Sequence, residues 1–384
     1  MHYFIIAGEA SGDLHASHLI RALRERDPEA VVTFFGGDLM AAAAGVQPLV
    51  HYRDMAYMGF SEVLRNINKI GENLRAAKRA VEMAHPDCLI LVDYPSFNLK
   101  VAAKAHALGI PVFYYISPKI WAWKKWRIRD IRRTVKRVFS ILPFEPEFYR
   151  ANGFDATYVG NPSVEEVDAR LAATASRADF LAEHKLRDRP LIALLPGSRK
   201  GEIRNNLPVM NLATNRFPQY RAVIVAAPGI DDDFYRANGA GNLPLIRTTS
   251  AIDVLVHCRG ALVTSGTATL ETALAGIPQV VTYRANGSKL SYDIMKKLLS
   301  VDFVSLPNLI VGREIVPERL LHTCTPDIVG ETLAPLLREG APAREAQLAS
   351  YADMRRILGT ENAADNTARL IIKELGKTPF PTIC

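Results

Sequence analysis

The chain has 384 residues, 48% of them hydrophobic and 23% charged, a globular balance that excludes a disordered, collagenous or disulfide-stapled polypeptide. That length exceeds the ~250–300 residues a single hydrophobic core serves, so two domains are expected. The net charge of +7 is concentrated between Ile120 and Arg137, where eight Lys or Arg stand against Asp130 alone and the rest of the chain is formally neutral; Trp121, Trp123 and Trp126, the three tryptophans, share that segment.

In chain order, short apolar runs alternate with helical stretches. Strands are expected at Tyr3–Ala7, Val31–Phe35, Cys88–Val92, Val112–Ile116 and Val138–Leu142, and helices at Leu14–Arg26, Ser61–Ala84 and Leu99–Leu108. This alternation implies a parallel sheet wrapped by helices. The rhythm breaks at Gly160-Asn161-Pro162, where a hinge is expected, and a polar helical stretch follows over Val164–Leu186. It restarts with strands at Leu191–Leu195, Ala222–Ala226, Gly260–Val263 and Val280–Tyr283. Both halves open as strand, Gly/Ser loop, helix. The fold class is therefore α/β with two doubly wound Rossmann-like domains facing a cleft, at residues 1–162 and 163–359, because open α/β sheets bind ligands at their strands' carboxyl ends. A last helix at about 360–375 could pack on either domain.

The cysteines Cys88, Cys258, Cys324 and Cys384 are far apart, which suggests neither a metal pair nor a disulfide framework. No apolar run approaches the ~18–20 residues needed to cross a bilayer, and the first residues resemble no secretory signal. A reducing cytoplasm is expected.

Several segments could carry chemistry. Gly8-Glu-Ala-Ser-Gly-Asp13 opens a helix whose amides could receive an anion. Ser11 or Asp13 could equally be a helix cap, a role that leaves Glu9 unexplained. The segment is not G-x-G-x-x-G, and a nicotinamide or flavin site is disfavoured. Asp93 ends a strand that reads as buried on both faces, where a carboxyl group should have a raised pKa and accept a proton from a hydroxyl; capping the next helix is the plainer alternative. Asn98 is either a second polar contact or an ordinary helix residue. Pro196-Gly-Ser-Arg199 combines a turn, a permanent cation and a helix start, which suits a diphosphate. In Thr264-Ser265-Gly266-Thr267-Ala268-Thr269-Leu270-Glu271, small residues let a diphosphate reach helix amides, and Glu271 is placed to accept from two ribose hydroxyls. No metal is expected: His15 and His18 are three residues apart on one helix, and Asp231, Asp232 and Asp233 read as a helix start.

Taken together, Ala7-Gly-Glu-Ala-Ser-Gly-Asp13, Tyr115-Ile-Ser-Pro-Lys-Ile-Trp-Ala-Trp123, Leu142-Pro-Phe-Glu-Pro146, Leu195-Pro-Gly-Ser-Arg199, Ser265-Gly-Thr-Ala-Thr-Leu-Glu271 and Phe303-Val-Ser-Leu-Pro-Asn-Leu309 resemble the lipid-A-disaccharide synthases, in family order and over about residues 3–310. The resemblance implies a GT-B glycosyltransferase, without a cofactor, that joins a UDP-2,3-diacylglucosamine donor to a 2,3-diacylglucosamine 1-phosphate acceptor and releases UDP. It implies that the first domain holds the acceptor near Glu9, Ser11, Asp93 and Asn98. UDP would lie in the second, on Arg199, the amides of Ser265–Thr269 and Glu271, with Asn308 reaching in from its loop. Asp93 or Glu9 would be the base, and Arg199 would stabilise departing UDP.

Trp121, Trp123, Lys124, Lys125, Trp126, Arg129 and Arg132, on a helix starting near Trp121, are expected to dock the enzyme peripherally on an anionic membrane, at the cytoplasmic face of the inner membrane. A nucleic-acid partner is not expected, because the aromatic residues are not spread over a sheet or groove for base stacking. A UDP-sugar epimerase on the same scaffold is the alternative enzyme. An anionic-lipid or RNA-binding protein is the non-enzymatic one, and it leaves Glu9, Asp93 and Glu271 without a role.

Overall fold

A computed structural model describes residues 1–55, 67–121, 125–284 and 302–376. The chain divides into two compact units, Met1–Pro162 together with the residues from Thr360 onward, and Ser163–Gly359.

The first unit is built on strands β1 (His2–Ala7), β2 (Val31–Gly36), β3 (Val50–His51), β4 (Cys88–Val92), β5 (Val112–Tyr115), β6 (Arg137–Ser140) and β7 (Ala156–Tyr158). Their order is β3-β2-β1-β4-β5-β6-β7, and every neighbouring pair is parallel. A parallel sheet covered on both faces needs continuous apolar strands rather than alternating ones. Phe4–Ala7 and Leu89–Val92 meet that requirement, with every residue buried. Leu19 and Leu23 of helix Ala10–Arg26 and Ile371 and Ile372 of helix Ala363–Glu374 fill one face; Val81, Val101, Tyr114 and Ile131 fill the other.

Helix Ala363–Glu374 thus belongs to the first unit, a placement the sequence pattern left open. Asn362 caps it through the Asp365 amide at 2.7 Å, Asp365 pairs with Arg26, and Glu374 pairs with Arg137 at 2.8 Å. Gly160 admits the crossing chain: its φ is +104°, and a Cβ there would stand 2.2 Å from the Glu361 carbonyl oxygen.

The second unit contains β8 (Leu191–Leu195), β9 (Arg221–Ala226), β10 (Leu245–Arg247), β11 (Cys258–Thr264), β12 (Gln279–Tyr283) and β13 (Glu318–Leu320), ordered β10-β9-β8-β11-β12-β13 and again wholly parallel. The stretch Val164–Leu186 is two helices, Pro162–Ala172 and Arg177–Glu183, because Ser176 caps a new start at the Asp179 amide. The basic segment is likewise shorter than expected: a tight turn at Lys125–Arg127 leads into helix Ile128–Thr134. Among the described residues no helix is long and apolar enough to cross a membrane.

Candidate active site

In the first unit the site lies at the carboxyl ends of β1, β4 and β5. Gly8 follows β1, and half-buried Glu9 occupies the N-cap position of helix Ala10–Arg26 with no side-chain cap bond. Ser11 is exposed in the first turn. Asp13 is buried and caps a neighbouring helix instead of its own, accepting the amides of Gly37 at 2.7 Å, Leu39 at 3.1 Å and Met40 at 3.1 Å.

Beyond β4, Asp93 and Tyr94 adopt φ of +44° and +47°, and Ile116 at the end of β5 has φ +59°. Left-handed backbone is unfavourable for residues other than glycine and persists only where the surroundings enforce it. Here the Asp93 carbonyl accepts from Asn98 Nδ2 at 2.7 Å and from the Tyr114 hydroxyl at 2.5 Å, while its amide donates to the Ile116 carbonyl at 3.3 Å. The backbone is therefore fixed, and Tyr94, not Asp93, is the N-cap of the following helix. Burial pushes the Asp93 carboxyl up, and the Lys119 cation and a Tyr94 backbone hydrogen bond oppose the shift. This group is a basic carboxylate on a rigid support.

Asn98 is fully buried, and its amide nitrogen holds the Val92 and Asp93 carbonyls, which fixes the backbone that carries Asp93. Trp121 is corrected. Only 7% exposed, it donates its indole N–H to Glu145 at 2.8 Å and packs edge-on against Phe144, which removes it from any membrane surface. Buried Glu145 also accepts from Ser117 at 2.8 Å and Ser140 at 2.5 Å, and its carboxyl is raised by burial against those hydrogen bonds. It clamps the loop that carries Lys119. Lys125, Trp126, Arg129 and Arg132 remain exposed; Trp123 and Lys124 lie outside the described residues.

In the second unit a cavity of about 530 Å³ opens at the carboxyl ends of β8, β9 and β11, lined by Gly197–Arg199, Ala226–Pro228, Thr248, Thr249, Thr264–Ala268 and Glu271. Helix Thr267–Leu274 starts there at Gly266 with neither a side-chain cap nor an acidic residue in its first turn. Its first amides have no intrahelical carbonyl to meet, and a Cβ on Gly266 would find nothing closer than the Thr264 carbonyl at 4.0 Å. Among the described residues no acceptor meets the amides of Gly266, Thr267 and Ala268, and all three residues line the cavity. Ser265 lines the cavity with its groups engaged: its hydroxyl donates to Val304 O at 3.0 Å and its amide to Thr282 O at 3.3 Å. Thr269 is removed from the ligand set, because it is fully buried and both its amide and its hydroxyl donate to Gly266 O.

Arg199, whose side chain is 67% exposed, sits at the cavity rim beside Glu202 at 3.4 Å. Glu202 also accepts the Ser198 and Arg199 amides at 3.0 and 3.3 Å, which fixes the turn that presents the arginine. Burial raises the Glu271 carboxyl. Glu166, on helix Pro162–Ala172, is pushed up to about 7 by burial and then by Glu271 and Glu165.

Asn308 is corrected as well. It lies on helix Leu306–Val311 rather than a loop, is fully buried, and accepts the Ile315 and Val316 amides while donating to Val316 O and Glu318. Glu318 also accepts the Val304 and Ser305 amides, so Phe303–Leu309 is a structural clamp behind the cavity. The acidic run near 231 starts helix Asp232–Tyr235, and Asp232 pairs with Arg247; among the described residues no group of three potential metal ligands occurs.

Sequence reasoning missed Glu145, Glu166 and Glu318. Of these only Glu145 carried a signal, as the acid inside Leu142-Pro-Phe-Glu-Pro146.

Two doubly wound units, each with polar groups at strand carboxyl ends, define a fold of the GT-B class. At the level of fold the chain is similar to the UDP-GlcNAc 2-epimerase from Neisseria meningitidis bound to UDP-GlcNAc (TM-score 0.66, 14% identity, 98% of this chain and 99% of that one) and to MurG of Acinetobacter baumannii (TM-score 0.57, 15% identity, 98% of both). Sequence narrows the class: the profile of the lipid-A-disaccharide synthetase family matches residues 3–372. Lipid-A-disaccharide synthases of Myxococcus xanthus and Syntrophus aciditrophicus are 44% and 38% identical, over 97% of this chain and 97% and 98% of theirs. The chain belongs to the lipid-A-disaccharide synthetase family and is a glycosyltransferase; the epimerase alternative is not favoured.

Proposed function

We propose that the enzyme joins UDP-2,3-diacylglucosamine to 2,3-diacylglucosamine 1-phosphate, with the first unit holding the acceptor and the second the donor. The observation that supports this best is the pairing of features within one chain: a basic carboxylate on a strained strand end, and a cavity with open helix amides beside an arginine and a glutamate.

In this reading the acceptor 6-hydroxyl loses its proton to Asp93 as its oxygen bonds the donor sugar's C1. The bond from C1 to the UDP oxygen breaks, and the configuration inverts. Glu9 is the rival base. The Gly266–Ala268 amides and the Arg199 guanidinium bind the diphosphate and stabilise the charge that UDP gains on leaving, since fixed donors need no reorganisation as charge develops. Glu271 accepts from the ribose hydroxyls. Exposed Lys125, Trp126, Arg129 and Arg132 contact an anionic membrane on its cytoplasmic face, where diacyl substrates would be reached without a spanning helix.

Incubation with UDP-diacylglucosamine, with and without acceptor, tests the reading. Acceptor-dependent UDP release is expected. Release of UDP or C2 inversion without acceptor would overturn it.

A further inference from the structure

Glu145 is a buried carboxyl group that the proposed chemistry leaves unused. It is 1% exposed, and its hydrogen-bond donors are neutral: the Ser117 hydroxyl at 2.8 Å, the Ser140 hydroxyl at 2.5 Å and the Trp121 indole N–H at 2.8 Å. Burying such a group is unfavourable, and apolar groups of the same shape often replace a buried polar cluster without loss of stability. Its place in the fold calls for a reason beyond stability, and what its hydrogen bonds fix supplies one.

Ser140 ends β6, whereas Ser117 and Trp121 lie in the loop that follows β5; none of the three belongs to the helix Glu145–Ala151. That loop opens on Ile116, whose φ of +59° is an outlier for a β-branched residue and persists only where the surroundings enforce it. The Ile116 amide donates to Phe139 O at 3.1 Å, and the Ile116 carbonyl accepts the Asp93 amide at 3.3 Å. Ser117, the next residue, is buried with its hydroxyl on Glu145, and Trp121 ties the far end of the loop to the same carboxyl group. Relaxing Ile116 towards ordinary backbone would rotate Ser117 off Glu145. Glu145, Ser117, Ile116 and Asp93 thus form one connected chain.

We infer that Glu145 is a positioning residue for Asp93, holding Ser117 and Trp121 so that Ile116 stays left-handed and its carbonyl fixes the Asp93 amide. The assignment rests on the reading of Asp93 as the base. Buried as it is, Glu145 acts indirectly, by setting where the Asp93 carboxylate stands. The Asn98 and Tyr114 bonds hold the Asp93 carbonyl, and the Glu145 clamp holds the amide on the other side of the same residue.

Ser117→Ala tests the chain at its middle. It removes one small hydroxyl, and it keeps the test decisive if Glu145→Ala, which strands three donors, folds poorly. Ser117→Ala should lower kcat by about 10-fold, part of the roughly 10² that a misplacement of ~1 Å costs, with the donor KM unchanged. In an Asp93→Asn background the same substitution should cost almost nothing further, because both act through one group. Hydrogen exchange read by mass spectrometry should show a faster Asp93 amide in Ser117→Ala and no change in the second unit. Beside an impaired Asp93→Asn enzyme, full kcat in Ser117→Ala, a loss confined to the donor KM, or losses that multiply in the double variant would make Glu145 a structural clamp only and overturn the inference. An Asp93→Asn enzyme with full kcat would refute the base instead. The positioning role then rests on the exchange measurement, and an Asp93 amide as protected in Ser117→Ala as in wild type would overturn it.

Discussion

Gly8→Ala tests whether the strained end of β4 is what makes Asp93 useful. Gly8 follows β1, whose Ala7 is in register with Val92, so Gly8 lies beside the Asp93–Tyr94 turn. A Cβ added there would stand 2.3 Å from Cδ1 and 2.8 Å from Cε1 of Tyr94. Ordinary carbon contacts lie at ~3.5–4.0 Å, so the ring would have to retreat by more than ~1 Å. It has little room to do so, because its hydroxyl donates to Met55 O at 2.8 Å and its ring packs 5.5 Å from that of Phe97. Tyr94 is the N-cap of the next helix and the residue after Asp93, so its displacement moves the carboxylate. Overpacking of this kind costs about 1–3 kcal/mol of stability, and a misplacement of ~1 Å costs roughly 10² in rate. The expected variant is folded and slightly less stable, with kcat lowered about 10²-fold and the donor KM unchanged. Steady-state kinetics with each substrate varied, beside urea denaturation, measures both quantities. Tyr94→Gly tolerates the left-handed backbone and removes the ring, so adding Gly8→Ala to it should cost almost nothing further. A Gly8→Ala enzyme with full kcat, or one whose loss appears in the donor KM, would refute the reasoning.

Asp93→Asn should lower kcat by about 10²–10⁴. Because burial raises this carboxyl, its charge opposes folding above the folded-state pKa; the neutral variant should be at least as heat-stable at pH 7, and a clear drop in Tm would contradict that origin of the shift. Arg199→Lys should recover only part of the activity lost in Arg199→Ala, since a point charge replaces a fork; full recovery would reduce Arg199 to charge screening. Glu166, at about 7 against an ordinary glutamate near 4.5, holds its proton more tightly folded than unfolded. Its stability contribution is therefore complete below about pH 4.5 and lost as pH rises through about 7, so thermal melts of Glu166→Gln between pH 5 and 8 should show a shallower decline than wild type. Replacing Lys125, Arg129 and Arg132 with Ser should abolish flotation with anionic liposomes at low salt while sparing turnover on detergent-dispersed substrate; unchanged flotation would place the membrane contact elsewhere.

The parallel sheets were readable wherever a strand is buried on both faces, as at Tyr3–Ala7, Cys88–Val92 and Leu191–Leu195. Short edge strands were not: Val50–His51, Ala156–Tyr158 and Glu318–Leu320 have two or three residues each, too few for any periodicity to register. Motifs identified important segments without separating contact from support. Asp93 and Asn98 lie five residues apart in one motif, yet Asp93 is half-buried on left-handed backbone while Asn98 is fully buried beneath it, a difference that composition does not encode. Trp121 and Trp126 differ for the same kind of reason: Glu145, 24 residues downstream, draws the first inward, whereas Trp126 is 56% exposed. Long-range hydrogen bonds decide such cases, and local pattern contains none of them.

Helix starts differ in how they are satisfied. Ser176, Thr325 and Asn362 cap Arg177–Glu183, Pro326–Leu337 and Ala363–Glu374, each with an acid in the first turn. Pro95–Ala107, Thr267–Leu274 and the clamp helix Leu306–Val311 have neither device, and the first two each follow a central strand at its carboxyl end. A cap would cost nothing sterically, since Gly266 has open space before it, and Ser/Thr/Asp at such a position is worth ~1 kcal/mol. At Thr267–Leu274 the chain omits this stabilisation and places Arg199 at the rim of the same cavity, which suits an anion there; at Pro95–Ala107 the first residue is a proline without an amide hydrogen, and the Phe97 and Asn98 amides already donate to Tyr94 O at 3.3 and 3.0 Å. Their surroundings differ in the way two substrates would require. The first has an elevated carboxylate three residues from the helix turn, suited to taking a proton from a sugar hydroxyl. The second has no basic carboxylate at the turn itself but small residues that let phosphate oxygens reach the amides, with Glu271 a turn further on for hydroxyl donors.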